Sequence, residues 1–250
     1  MRSFKVGVTL KMYDYGTYRP KSLADIARQA RLAEQVGFDS VWVMDHVFIQ
    51  RPSGRVVAHE PMICLAQAAA ATTRVRVGSL VLSHAFRHVG QLAREASALA
   101  DMSEGRFTLG LGTGWHRPEF DALGLPFDHL VSRLEEAVVP LRLLLKGERA
   151  TVNGKWLSMS DASIAVTAPP PPLWIAAEGP RKLAPAAAAD GWNPAHCAWE
   201  HNSRFRAVLA GPPPAPRPRR ARPGSLRFAR RYSRVRACGA APLSAPLHWW

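Results

Sequence analysis

The feature that most constrains this chain is a regular alternation of β-branched, apolar segments with amphipathic segments. Strands are predicted to start near residues 4, 38, 75 and 107, and an apolar helical period lies between successive starts. A strand–helix unit that repeats about every 35 residues implies a parallel sheet, because each crossover helix returns the chain so that the next strand runs in the same direction. The predicted fold class is therefore α/β.

Local signals support the individual elements. Ser22, followed three residues later by Asp25, is typical of a helix N-cap with an acidic first turn. The predicted helices are 22–36, 60–72, 89–102, 131–146 and 181–189, and the predicted strands are 4–10, 38–44, 75–82, 107–111 and 173–177, with a sixth opening at Gly191. A long loop is expected between residue 111 and the helix at 131.

Residues 148–167 interrupt the alternation. Asn153-Gly154 within them is a strong hairpin-turn signal, so we interpret the segment as an excursion from a domain that spans residues 1–202.

The composition changes near residue 203. Residues 201–250 hold eleven Arg, no Lys and no acidic residue, and residues 203–250 hold eight Pro, which disrupt helices and central strands. We interpret residues 203–250 as the product of a shifted reading frame in a GC-rich gene; the alternative is a disordered basic tail.

The net charge of +14 indicates a nucleic-acid binder only at first sight. The first 200 residues hold 22 basic and 19 acidic residues, a net charge of +3, so the excess lies in the tail. A basic nucleic-acid-binding protein that uses the Arg-rich tail remains an alternative from another class. We expect instead a small-molecule substrate and neither a nucleic-acid nor a membrane partner. A homodimer is left open as an alternative to a monomer.

Cysteine usage and hydropathy indicate the compartment. Three widely spaced Cys residues form no C-x-x-C pair, which argues against a disulfide scaffold and against a Cys-built zinc site. No apolar run approaches 18 residues, so neither a signal peptide nor a membrane span is predicted. We expect a cytoplasmic protein.

Ligands of parallel βα arrays bind at the carboxyl ends of the strands. The residues at these ends are Asp45-His46, then Ser83-His84 running into Phe86-Arg87-His88, then Gly110 to Trp115, and Ala176 to Arg181. The alternative for Asp45 and His46 is structural, a loop cap and a hydrogen-bonded core histidine.

Two of these strand ends contain glycine patterns that are typical of cofactor-binding loops. The glycines at 110, 112 and 114 resemble a dinucleotide fingerprint, but the third required Gly is missing, and Trp115 and Pro118 follow, so no helix is expected to open there as a Rossmann turn requires. Gly179-Pro180 before a helix is a candidate phosphate seat or an ordinary helix start. The histidines lack H-E-x-x-H or carboxylate spacing, so no metal site is predicted.

Four longer stretches combine these strand ends with the elements around them: AEQVGFDSVWVMDH (33–46), RVRVGSLVLSHAFRH (74–88), LADMSEGRFTLGLGTGWHRPEFDALGLPF (99–127) and PPLWIAAEGPRKLAPAAAADGWN (171–193). Taken together, they resemble the luciferase-like monooxygenase family of flavin and deazaflavin enzymes, and most of all its branch dependent on coenzyme F420. The resemblance covers roughly residues 4 to 195 and implies a (β/α)8 TIM barrel with the cofactor at its C-terminal mouth. Only about six of the eight strands have a counterpart, so the barrel is expected to be C-terminally incomplete, with exposed sheet edges.

The resemblance also implies residue roles. Asp45 would line the cofactor ring, and His46 would be the catalytic proton donor or acceptor. A non-prolyl cis peptide would join Leu80 and Val81 and form a bulge behind the ring. The other implied cofactor contacts are Ser83, Gly112, Gly114, Trp115 and Pro118 along the ring and ribityl chain, and Ala177, Glu178, Gly179, Pro180 and Arg181 at the phosphate.

Two departures concern the phosphate end. Ala176-Ala177 stands where family members commonly have Gly-Gly, and Glu178 places a negative charge near the phosphate, which Arg181 would offset.

The implied function is hydride transfer between F420 and a small organic substrate. The alternatives are an FMN-dependent monooxygenase of the same family and an inactive truncated product.

Overall fold

The computed structural model describes residues 5–14, 17, 19–51, 54–176 and 189–193. One parallel sheet dominates this part of the chain, and two antiparallel hairpins lie outside it. The strands are β1 (Gly7–Thr9), β2 (Ser40–Val43), β3 (Phe48–Arg51), β4 (Gly54–Val57), β5 (Arg76–Ser79), β6 (Leu82–Ser83), β7 (Phe107–Gly112), β8 (Ala150–Asn153), β9 (Ser158–Ala162), β10 (Leu173–Ala176) and β11 (Gly191–Asn193).

Five α-helices accompany the sheet, and a 3₁₀ turn at His84–Phe86 follows β6. The helices are α1 (Leu23–Gln35), α2 (Pro61–Ala70), α3 (Val89–Met102), α4 (Arg117–Leu123) and α5 (Leu130–Leu145).

The strand order in the sheet is β1-β2-β5-β7-β10-β11, with β6 paired to β7, so the order rises steadily along the chain. A doubly wound sheet reverses its strand order at a switch point, and this sheet does not, so the strand order is that of a barrel and not of a Rossmann domain. The fold is an α/β half-barrel, and β1 and β11 are the edges of its described part.

Two tryptophans show how strongly the sheet curls. Trp42 on β2 and Trp174 on β10 are separated by β5 and β7, about 14 Å in a flat sheet. Their ring centroids are nevertheless 5.3 Å apart. A Cβ at Gly78 would overlap the Trp42 ring, and one at Gly191 would overlap Trp174, so glycines on the neighbouring strands make room for the two rings.

The opposite face of the sheet packs against the helices. Val41 and Val43 of β2 are fully buried, whereas Ser40 and Trp42 between them are half-buried. β10 repeats the pattern, with Leu173 and Ile175 buried. This period of two separates a closed helix-facing core from a more open concave interior.

Two charged side chains hold the end of the half-barrel opposite the strand tips. Arg106 donates from Nη1 to Thr72 Oγ1 and to the Val75 carbonyl, each at 3.0 Å, and from Nη2 to the Ala69 and Thr72 carbonyls. Glu34, at the end of α1, accepts from the backbone N–H groups of Thr73, Arg74 and Val75 at 2.6 to 3.1 Å. Together they lock the loop between α2 and β5.

Most predicted elements are confirmed. Ser22 forms a full capping box with Asp25, and Asn153-Gly154 starts the turn of the β8–β9 hairpin, where the Gly154 N–H donates to the Leu157 carbonyl at 2.9 Å.

Two predictions are wrong in detail, and one hairpin was missed. The strand predicted over 75–82 is split into β5 and β6, because the Leu80–Val81 peptide bond is cis and interrupts the ladder. The loop after residue 111 contains helix α4, and a helix does open beyond the glycines, because Pro118 occupies the first turn, where proline is tolerated. The β3–β4 hairpin over 48–57 was not predicted.

The predicted helix over 181–189 lies outside the described residues except for its last residue, and the tail at 203–250 lies entirely outside them.

The Glu34 carboxylate provides a test of the contacts at the end of the half-barrel opposite the strand tips. Burial raises its pKa, but the three backbone N–H donors and the charge of Arg74 lower it by a larger amount. The net pKa therefore lies below its ordinary value. A depressed carboxylate pKa stabilises the fold above the unfolded-state pKa, and this contribution is lost as the pH falls through the folded value. Glu34→Gln is expected to lower the free energy of unfolding by about 1 kcal/mol at neutral pH. The difference in unfolding free energy between the native chain and the variant should narrow below about pH 4. Urea titrations of both proteins across pH 3 to 8 measure the gap.

Glu148→Gln is the matched control, since Glu148 is exposed and should change stability by less than about 0.5 kcal/mol. A gap for Glu34→Gln that is constant across the pH range would contradict the assignment.

Candidate active site

The carboxyl ends of β2, β6 and β7 meet at one edge of the half-barrel, because the strands are parallel. Asp45 and His46 follow β2, Ser83 ends β6, and Gly112 ends β7. Residues 113–116 then lead from β7 into α4. The cluster therefore joins segments far apart in sequence.

Asp45 connects these ends. Its carboxylate accepts from the Ser83 backbone N–H at 2.9 Å and from Arg87 Nη1 at 2.6 Å. Arg87 also pairs with Glu60, the N-cap residue of α2. One buried guanidinium thus links the end of β2 to the segment after β6 and to the start of α2.

Burial and charge oppose each other in this pair. The Asp45 side chain is 3% exposed and the Arg87 side chain 12%. Burial raises the pKa of Asp45, against the opposing charge and hydrogen bonds of Arg87. Burial alone would lower the pKa of Arg87, but Asp45 and Glu60 outweigh it and raise that pKa. The guanidinium stays charged, so Arg87 is the permanent partner of this buried carboxylate.

His46 is held from a different segment. Its Nδ1 lies 3.1 Å from Oε2 of Glu119, which belongs to the first turn of α4. The other carboxylate oxygen, Oε1, accepts from the Phe48 backbone N–H at 3.1 Å. Glu119 is 2% exposed, so this contact is shielded from water.

Aromatic rings border the His46 imidazole. The Trp115 ring lies edge-on to it, with centroids 5.5 Å apart and planes at 80°, and Trp115 itself is 59% exposed. The His116 ring lies 6.3 Å from His46. Burial lowers the pKa of His116, an effect that Glu119 opposes and His46 reinforces. The exposed Trp115 ring therefore gives His46 an apolar neighbour.

The cis peptide lies behind the strand ends. It joins Leu80 to Val81, between β5 and β6, as the resemblance implied. A Cβ at Gly112 would lie 2.7 Å from Val81 Cγ2, so Gly112 is needed for Val81 to reach its position. The bulge and the glycine of the next strand therefore fit each other.

Gly114 and Ser83 form a second close contact. Gly114 has φ +76°, which favours glycine, and a Cβ there would lie 2.7 Å from Ser83 Oγ. Ser83 Oγ is buried and has no hydrogen-bond partner among the described residues. A buried hydroxyl without a partner is rare, so this atom is available to a polar group of a ligand.

His84 is a neutral polar group beside them. Its Nδ1 lies 3.2 Å from the Gly112 carbonyl, and Nε2 is buried without a partner in the described part of the chain. Burial lowers the pKa of His84 to about 4, so the ring is uncharged at pH 7.

The structure brings together most of the predicted site. Asp45, His46, Ser83, Gly112, Gly114 and Trp115 lie at the strand ends, with Leu80 and Val81 behind them. Pro118 lies exposed in the first turn of α4. The predicted phosphate contacts Ala177, Glu178, Gly179, Pro180 and Arg181 lie outside the described residues.

Sequence reasoning missed two residues of this cluster. Arg87 was noted at a strand end without a role, and Glu119 was not singled out. The available signal for Glu119 was a lone carboxylate between Pro118 and Phe120 in the first turn of a short helix.

Within the described residues, no group of three or more His, Cys, Asp or Glu side chains is placed to hold a metal ion. The same part of the chain contains no helix that is both long enough and apolar enough to cross a membrane.

Comparisons with known proteins agree with this geometry. A family model described as luciferase-like monooxygenase matches residues 5–211. The F420-dependent glucose-6-phosphate dehydrogenase of Beutenbergia cavernae is 39% identical over 163 residues, which cover 62% of this chain and 47% of that protein. The 5,10-methylenetetrahydromethanopterin reductase of Methanolobus tindarius is 32% identical and is matched over 63% of this chain and 45% of its own. The chain thus spans about half the length of these relatives.

Among solved structures, the monooxygenase RslO1 from Streptomyces bottropensis superposes with a TM-score of 0.70 at 25% identity. The match covers 82% of this chain and 64% of that one.

The Asp45–Arg87 pair provides a test of the site's framework. Arg87→Met is expected to lower the free energy of unfolding by about 3 to 5 kcal/mol, because it leaves a buried carboxylate without its cation. Asp45→Asn added to Arg87→Met should recover more than half of that loss. Denaturant unfolding of the two single variants and the double variant measures the coupling.

Arg94→Met, at an exposed position of α3, is the control and should cost less than about 0.5 kcal/mol. Additive effects of the two site substitutions would show that the pair does not hold the strand ends together.

Proposed function

The chain belongs to the luciferase-like monooxygenase family, and on that premise we propose that it is an oxidoreductase that transfers a hydride between coenzyme F420 and a small organic substrate. The observation that carries the proposal is the position of His46 at the mouth of the half-barrel. Its Nδ1 contacts a buried carboxylate, and its ring lies beside an exposed aromatic wall.

The choice of cofactor follows from the relatives. The relatives more than 30% identical to the chain include F420-dependent dehydrogenases and a methanopterin reductase. When bound, F420 supplies a hydride-carrying deazaflavin ring, and the protein supplies binding, orientation and electrostatics.

The residues at the strand ends are compatible with such a ring. Ser83 Oγ is a buried hydroxyl that lacks a partner, and the Leu80–Val81 bulge gives an apolar surface toward Gly112. In this proposal Asp45 lines the cofactor ring, and Arg87 keeps the Asp45 carboxylate in place. The remaining contacts to the ring and the ribityl chain come from Gly112, Gly114, Trp115 and Pro118. The loop Ala177 to Arg181 would hold the phosphate, with Arg181 offsetting Glu178.

His46 is proposed as the proton donor or acceptor for the substrate. An imidazole can accept a proton at one ring nitrogen and donate one from the other, and general acid–base groups typically contribute about 10² to 10⁴ in rate. The substrate would lie between His46 and the exposed face of Trp115.

A second candidate is an FMN-dependent monooxygenase. The fold match to a Streptomyces monooxygenase favours it, since FMN can form an oxygen adduct that a deazaflavin ring forms poorly.

Cofactor titration tests the proposal. The chain is titrated with F420 and separately with FMN, and binding is followed by cofactor fluorescence. We expect F420 to bind at least 10-fold more tightly. Tighter binding of FMN would favour the second candidate, and binding of neither would refute the hydride-transfer function for this chain.

The His46→Ala variant tests the assigned role. Cofactor affinity is expected to change by less than about threefold, and the rate of deazaflavin reduction, screened with glucose 6-phosphate and a panel of secondary alcohols, is expected to fall by about 10² to 10⁴. His59→Ala, at an exposed position, is the control and should leave both unchanged. Equal losses of affinity and rate would assign His46 a structural role instead.

A further inference from the structure

We propose that Glu119 is a positioning residue that holds His46 in the tautomer with its proton on Nδ1 and the lone pair on Nε2. The inference rests on the proposed function only where it makes His46 the proton-transferring group. The tautomer itself is a property of the chain without cofactor.

Both oxygens of the Glu119 carboxylate are engaged, each by one group. Oε1 accepts from the Phe48 backbone N–H at 3.1 Å, and Oε2 lies 3.1 Å from His46 Nδ1. The Phe48 amide can only donate, so it fixes the orientation of the carboxylate. Because Phe48 lies two residues after His46, the same carboxylate holds both the imidazole and the backbone that carries it.

Glu119 differs from the other buried carboxylate at this edge. Asp45 has the Arg87 guanidinium against it, whereas no Lys or Arg lies within ion-pair distance of Glu119 in the described part of the chain. A buried carboxylate is costly unless it is paired or hydrogen-bonded. The charge of Glu119 is therefore directed at the imidazole, its one titratable hydrogen-bond partner among the described residues.

The tautomer follows from hydrogen-bond chemistry. An ionised carboxylate accepts and does not donate, so the ring nitrogen that faces it carries the proton. In the neutral ring this leaves Nε2 as the acceptor, free to take a proton from a substrate. When Nε2 takes up a proton, both ring nitrogens are donors, and Nδ1–H keeps the Glu119 carboxylate as its acceptor.

Glu119→Gln provides an informative test because it keeps the shape and changes the donor pattern. An amide has one oxygen and one NH₂ group. The Phe48 N–H requires the oxygen, so the NH₂ group is left to face Nδ1 of His46. A ring nitrogen that faces a donor must be the acceptor, and the neutral ring is then forced into the opposite tautomer, with its proton on Nε2.

The experiment is nitrogen NMR of the full chain labelled with ¹⁵N-histidine, without cofactor, at a pH where the ring is neutral. His46→Ala identifies the resonances. We expect the native chain to show the Nδ1–H tautomer, Glu119→Gln to show the Nε2–H tautomer, and Glu119→Asp, which restores an acceptor-only group, to return it toward Nδ1–H. Glu135→Gln, at an exposed position of α5, should leave the spectrum unchanged.

An Nε2–H tautomer in the native chain, or no change on Glu119→Gln, would overturn the proposal. The native spectrum decides even if a variant does not fold. In F420 reduction assays, Glu119→Gln should lower kcat by about 10² to 10⁴ with KM changed less than threefold. Failure of the native chain to bind F420 would refute the proposed function and leave the tautomer result standing.

Discussion

The arrangement of the site depends on burying carboxylates at the strand ends without leaving them uncompensated. Asp45 is almost completely buried at the end of β2. Its partners are the Ser83 backbone N–H at the end of β6 and the Arg87 guanidinium just before α3. Because an unpaired buried charge costs several kcal/mol, the ends of β2 and β6 can hardly separate while Asp45 stays ionised. The segment from Ser83 to Arg87 is thereby tied to the end of β2, where His46 follows Asp45 in the chain.

A second carboxylate extends the same principle to the next strand. Glu119 approaches from α4, beyond β7, and binds both the imidazole of His46 and the backbone that follows it. Asp45 is paired with a guanidinium, whereas Glu119 contacts an imidazole ring rather than a fixed cation. We therefore assign the first contact to the framework of the strand ends and propose the second as support for proton transfer at His46.

Much of this fold was predictable from the chain, because hydrophobic period and capping are local. The Ser22 capping box and the β8–β9 turn are examples, and the cis bond was implied by the resemblance alone. The contact between His46 and Glu119 was not predictable, because 73 residues separate them and only the tertiary fold brings them together. Helix α4 was missed because Pro118 was taken as a helix breaker rather than as a first-turn residue.

Hydrogen exchange of the full chain with and without F420 tests the central claim most directly, that the carboxyl ends of the strands form the cofactor site. We expect slower exchange on F420 binding at residues 45–48, 81–84 and 110–116, and no change at residues 72–75, which lie at the opposite end of the half-barrel. Protection at 72–75 with none at the strand tips would contradict it.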